Sequence, residues 1–188
     1  MFKRLRKEAA DAKDSTEPDL VLAPDQDNLQ KWRAWVAGPA DTPFEGGVFE
    51  IELDVGVRYP LAPPKVRVKT PLFHPNIHGK TGEVCLDILK EAWSPAWTLM
   101  STVRAVRALL AAPNADSPLN CDAGNLIRAN DWNGFAAQAK RMVAEHASQP
   151  MPLRSDLFPV VPKEDAPSSC TTITVVVAAV GVALFLII

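Results

Sequence analysis

Chemically capable side chains crowd into one stretch of this 188-residue chain, His74 to Trp97. It reads His74-Pro75-Asn76-Ile77-His78-Gly79-Lys80-Thr81-Gly82-Glu83-Val84-Cys85, then Leu86-Asp87-Ile88-Leu89-Lys90 and Trp93-Ser94-Pro95-Ala96-Trp97. A cysteine thiolate is a nucleophile able to carry an acyl group, and an asparagine amide can donate to a developing oxyanion. The residues alone leave two readings of Cys85 open, a reactive nucleophile or a buried structural thiol. No Cys–His–Asn triad follows from the spacing. His78 is expected to be exposed and without a catalytic part.

The flanking segments set the elements that must hold this stretch. Phe2, Leu5, Ala9 and Ala12 recur at helical spacing, with basic residues around the exposed side. Leu20 to Leu22 suggests a first strand. Trp32, Ala34 and Val36 alternate with Arg33, Trp35 and Ala37, and Phe49, Ile51, Leu53 and Val55 alternate with Glu50, Glu52 and Asp54. Val66-Arg67-Val68-Lys69 repeats the alternation. Turn residues at Gly38-Pro39, Glu45-Gly46-Gly47 and Tyr59 to Pro64 separate these runs, so an antiparallel meander of about four strands is expected. Leu99, Val103, Val106 and Leu110 then mark a helix stopped by Pro113, and Phe135, Ala139, Met142 and Val143 mark a last one towards His146. The layout is α+β, with helices against one sheet face. Thr70 to Trp97 carries no strong period, and a loop that long inside a compact domain is usually functional.

The bulk numbers exclude more than they assign. A net charge of −2 gives no reason to expect a nucleic-acid partner. Cys85, Cys121 and Cys170 are too few and too dispersed for a disulfide framework, and no Cys-x-x-Cys pair suggests a metal site. Met1 to Asp14 is charged throughout and has no apolar run of the kind a signal peptide needs. Thr171 to Ile188 contains no charged residue. As a helix it would extend about 27 Å, close to the hydrocarbon thickness of a bilayer, so it reads as a membrane anchor. Five prolines between Ser148 and Cys170 argue against regular helix there and for an extended linker. Leu153, Leu157, Phe158 and Val160 are apolar for a spacer and could touch the body or a lipid surface. The expected division is a catalytic domain over 1–147, a Pro-rich linker over 148–170 and an anchor over 171–188. Cys170, beside the anchor, is a candidate for lipidation.

His74-Pro75-Asn76, then Cys85-Leu86-Asp87-Ile88-Leu89 and Trp93-Ser94-Pro95-Ala96, resembles the active-site signature of ubiquitin-conjugating enzymes. Gly38-Pro39, Thr42 to Phe49, Tyr59-Pro60, Pro63 to Val66 and Asp116 to Asn120 fall in that family's order. Lys80-Thr81-Gly82-Glu83 and Asp116 to Asp122 are most similar to the peroxisomal branch, which modifies a cargo-import receptor for its recycling. The resemblance implies the ubiquitin-conjugating fold. It also implies that Cys85 takes ubiquitin as a thioester from an activating enzyme, which is where ATP is used; no cofactor of the chain's own is expected. Asn76 would donate to the oxyanion or brace its loop, and His74 would be structural. Ser117 stands where many relatives have an acidic residue. A hydroxyl is a poor general base at neutral pH, so it is expected to position the acceptor. A cysteine acceptor, ionising nearer neutrality than lysine, would need less help. Cys121 is either an inert small hydrophobe or a redox partner of Cys85.

The same resemblance assigns the first helix, with Arg4 and Lys7, to the activating enzyme and a RING-type ligase. Leu61, Pro63, Pro95 and Ala96 would complete the ligase footprint. The anchor departs from the peroxisomal branch, whose members depend on a membrane receptor, whereas an endoplasmic-reticulum group carries such a tail but differs in active-site wording. The expected location is therefore the cytosolic face of an organelle, peroxisome or endoplasmic reticulum. Conjugation of another ubiquitin-like modifier is the remaining alternative.

Overall fold

The computed structural model describes residues 1–84 and 93–158. Cys85, Asp87, Cys170 and the segment 171–188 therefore lie outside the described residues. Among the described residues no helix is long and apolar enough to cross a membrane.

Alternation in the sequence becomes a four-stranded antiparallel meander, β1 (Leu20–Pro24), β2 (Lys31–Ala37), β3 (Val48–Asp54) and β4 (Lys65–Val68), in the order β1-β2-β3-β4. Because successive side chains point to opposite faces, Trp32, Ala34, Val36, Phe49, Ile51 and Leu53 share one face, and all are fully buried. The opposite face carries cross-strand charge pairing. Arg33 stands opposite Glu52, which stands opposite Arg67, and Lys31 Nζ meets Asp54 at 2.7 Å.

Helices close the core. α1 (Phe2–Asp14) buries Leu5 and Ala12. α2 (Leu99–Ala111) buries Val103, Val106 and Leu110, and starts at a capping box in which Thr98 and Ser101 satisfy each other's backbone. α4 (Trp132–His146) buries Phe135 and Ala139 behind an Asp131 cap. Phe44, inserted from the β2–β3 connection, meets Phe49, His74 and Phe135.

Two findings go against expectation. Cys121–Arg128 forms a helix, α3, capped by the Asn120 side chain, where the sequence suggested none. Its eight residues include Gly124 and Asn125 and show no long apolar stripe. It packs because Gly124 admits Pro118, whose ring would lie 2.7 Å from an added Cβ. The second difference lies in the Pro-rich stretch. Arg154–Leu157 forms one helical turn, α5, and the folded body continues to Phe158 instead of stopping at Ala147. Arg154 explains this. One Nη donates to Ala12 O at 2.8 Å and the other to Glu17 O and Leu20 O at 3.0 and 2.9 Å. Its planar fork thus ties the end of α1 to the start of β1. Val21 and Ala23, on the sheet's outer face, are only 4% exposed, and Asp156 and Leu157 share a cleft with Ala23, Pro24 and Arg33.

Candidate functional site

The route to Cys85 starts at β4. Residues Gly82 to Val84 run along its free edge. Val68 N donates to Gly82 O at 2.8 Å, Arg67 faces Glu83, and Val84 bridges Ile77. Val84, the residue before Cys85, is buried. The approach is possible only at glycine. Gly82 has φ +69°, and a Cβ there would lie 1.9 Å from Val68 O. His78 organises the turn that precedes it. Its Nδ1 accepts from Thr81 N at 3.1 Å and Lys80 N at 3.4 Å, and its backbone N–H donates to Glu83 O. It is half-buried and hydrogen-bonded, not the exposed side chain expected.

His74 is fully buried. Asn76 N donates to its Nδ1 at 3.1 Å, so the proton sits on Nε2, which donates to Leu109 O at 3.1 Å. Burial pushes the imidazole down to about 4, partly offset by the Leu109 carbonyl. The ring stays neutral near pH 7 and joins this loop to the end of α2.

Asn76 is 3% exposed, and its amide clasps a loop 38 residues away. Nδ2 donates to Asn114 O and Oδ1 accepts from Asn114 N, both at 2.8 Å. A primary amide carries two N–H donors, so one donor beyond the Asn114 bond remains. Alongside, Pro75 O accepts from Leu119 N at 2.8 Å and Asn120 N at 3.1 Å. Asn114 Oδ1 in turn accepts from Asp116 N at 2.8 Å, shaping the turn into Ser117. The 74–76 and 114–120 segments are thereby fastened at both ends, and Ser117 is exposed between them. Cys121, the first residue of α3, is exposed too. Asn114 was missed in the sequence because its main chain does the work and no local spacing reveals a partner 38 positions away.

A second constellation forms at the start of α1. Glu8, 4% exposed, accepts from Arg4 Nε at 2.5 Å, Tyr59 Oη at 2.6 Å and Leu99 N at 2.7 Å. Burial first, and the Glu8 carboxylate next, hold the Tyr59 phenol above its usual range. Arg4 also donates to Trp97 O at 2.9 Å. Its side chain remains 32% exposed while these bonds hold it in place. Lys7 is exposed and pairs with Asp11 at 2.8 Å. Trp93 Nε1 donates to Pro60 O at 2.9 Å, and its ring lies 6.0 Å from Tyr59 and 6.1 Å from Trp97. These contacts bring together the two loops that carry Leu61, Pro63, Pro95 and Ala96. Leu61 is 79% exposed, Pro95 and Ala96 are exposed, and Pro63 is half-buried.

Residues 4–143 match the family model described as ubiquitin-conjugating enzyme. The chain belongs to the ubiquitin-conjugating enzyme family. Among its relatives, the Arabidopsis thaliana protein named PEROXIN-4 is 57% identical over 124 residues, covering 66% of this chain and 79% of that protein. The Dictyostelium discoideum ubiquitin-conjugating enzyme E2 pex4 is 50% identical over 141 residues, covering 74% of this chain and 95% of its own length. A crystal structure of the H. polymorpha ubiquitin-conjugating enzyme Pex4p, in complex with the soluble domain of Pex22p, superposes with a TM-score of 0.74 at 34% identity. It covers 79% of this chain and 98% of that one. The four-stranded sheet with its flanking helices is thus the ubiquitin-conjugating fold, and the protein is a ubiquitin-conjugating enzyme.

Proposed function

We propose that this enzyme carries ubiquitin as a thioester on Cys85 and, with a RING-type ligase, transfers it to a membrane-associated acceptor, the peroxisomal import receptor first among these. The observation that carries the reading is the double clasp of Asn76 on Asn114, which fixes a spare amide donor and an exposed Ser117 on the segments flanking the approach to Cys85. In loading, the Cys85 sulfur attacks the activating enzyme's thioester and that enzyme's thiolate leaves. In transfer, an acceptor amine or thiol attacks the carbonyl, charge gathers on its oxygen, and the Cys85 thiolate departs. The spare Asn76 N–H supplies the donor for that oxygen. Ser117 holds the acceptor by hydrogen bonding and leaves proton removal to others. The relatives named for peroxins support the peroxisomal assignment. Residues 171–188 supply the membrane anchor, placing the body on the cytosolic face and raising its concentration near membrane substrates.

The test is charging. Full-length enzyme with activating enzyme, ubiquitin and ATP should form a reductant-sensitive adduct that disappears in Cys85→Ala and becomes a reductant-resistant ester in Cys85→Ser. If a well-folded sample charges only with a different modifier, or not at all, the proposal is wrong.

A further inference from the structure

The Pro-rich stretch of 23 residues, 148–170, was expected to be an extended linker whose apolar residues, Phe158 among them, could touch the body or a lipid surface. The structure divides it. Arg154 grips three carbonyls from the α1 end, the connection after it and β1. Phe158 packs against the core, and its N–H donates to Arg154 O at 3.2 Å. Asp156 and Leu157 border Ala23 and Pro24 on the outer face of β1. This strap sits at the β1 edge of the sheet, whereas the chain enters the Cys85 segment from the β4 edge. Three inter-strand spacings, about 14 Å, separate the two edges.

We propose that Met151–Phe158 is a strap that fixes where the tail leaves the catalytic body, so the working tether to the membrane is 159–170 alone. This rests on the reading of 171–188 as an anchor. Twelve residues span at most about 40 Å, against about 75 Å for the full 23. The strap therefore halves the reach of the tethered enzyme. It also starts the tether from the β1 edge of the sheet, opposite the β4 edge along which the chain approaches Cys85. Substrate choice at the membrane becomes partly a matter of height, because acceptors beyond that radius are out of range whatever their sequence.

The experiment uses the full chain in phosphatidylcholine vesicles containing a dansyl-headgroup lipid. It reads energy transfer from the body's five tryptophans, all of which lie between Trp32 and Trp132. A flexible insertion of about ten Gly/Ser residues is placed either between Pro150 and Met151 or between Ser168 and Ser169. A docked strap makes the first insertion silent, because the added chain loops out upstream of Arg154, while the second lowers transfer. Arg154→Ala and Arg154→Lys, neither of which preserves a fork on three carbonyls, lower transfer by about as much as the Ser168–Ser169 insertion does, because releasing the strap lengthens the tether by a similar amount, while charging at Cys85 is kept. Equal losses from both insertions, or unchanged transfer in the Arg154 variants, overturn the strap. A chain that fails to float with the vesicles removes the anchor, and the tether with it. That outcome is distinguishable from a floating chain whose two insertions behave alike.

Discussion

Replacing Asn76 by alanine separates two jobs that the structure gives to one amide. Its Oδ1 and Nδ2 make a pair of 2.8 Å hydrogen bonds to the main chain of Asn114. Removing the amide strips both partners. Asn114 is exposed, so water can reach part of the gap, and the expected loss of stability is about 1–3 kcal/mol. The catalytic loss is of a different kind. If the remaining N–H meets the carbonyl oxygen as charge develops, its removal lowers the transfer rate by roughly 10²–10³-fold. The assay is single-turnover discharge of pre-charged enzyme to free lysine, run well below the unfolding midpoint, beside urea unfolding of the same variant. Unchanged urea stability would refute the clasp. A discharge rate within about threefold of the parent, far short of the loss typical for an oxyanion donor, would refute the oxyanion role and leave Asn76 a brace. Loss of both, with the rate deficit persisting at temperatures where the variant is fully folded, is the expected result.

Two further outcomes follow from the same loop. His74 is held at about 4 against a usual value of 6.5. The unfolded chain takes up a proton that the folded one refuses, so its contribution to stability is full above about pH 6.5 and fades as pH falls towards 4; about 2 kcal/mol should go between pH 7 and 5. Urea midpoints and the His74 ring resonance check this, and a ring titrating near 6.5 would contradict it. Gly82→Ala puts a side chain on a positive-φ residue against Val68 O. The backbone preference alone costs about 1–2 kcal/mol. Displacing 82–84 from β4 should slow ubiquitin charging, so a variant with parental stability and charging time course would argue against the edge pairing.

The meander was plain in the sequence because three of its strands alternate over a wet face and a dry one, and turn residues punctuate them. The long aperiodic stretch was equally plain as the place for chemistry. What escaped was tertiary. α3 depends on Gly124 accepting Pro118, a contact no period announces. Asn114 acts through its peptide groups, on which side-chain motifs are silent. Arg154 stands among prolines and reads as a solvated charge until three carbonyls are found around it. Arg4 keeps a partly exposed side chain, as the helix pattern expects, but no period shows that Glu8 and Trp97 hold it.

Glu8 has one more implication. A single carboxyl group gathers a helix side chain, a phenol from one surface loop and the first amide of α2, and Arg4 carries the linkage on to the tryptophan loop. Any protein that grips this end of the molecule therefore meets a plate whose parts cannot tilt separately. Force applied to the helix arrives at both loops through the same two oxygens.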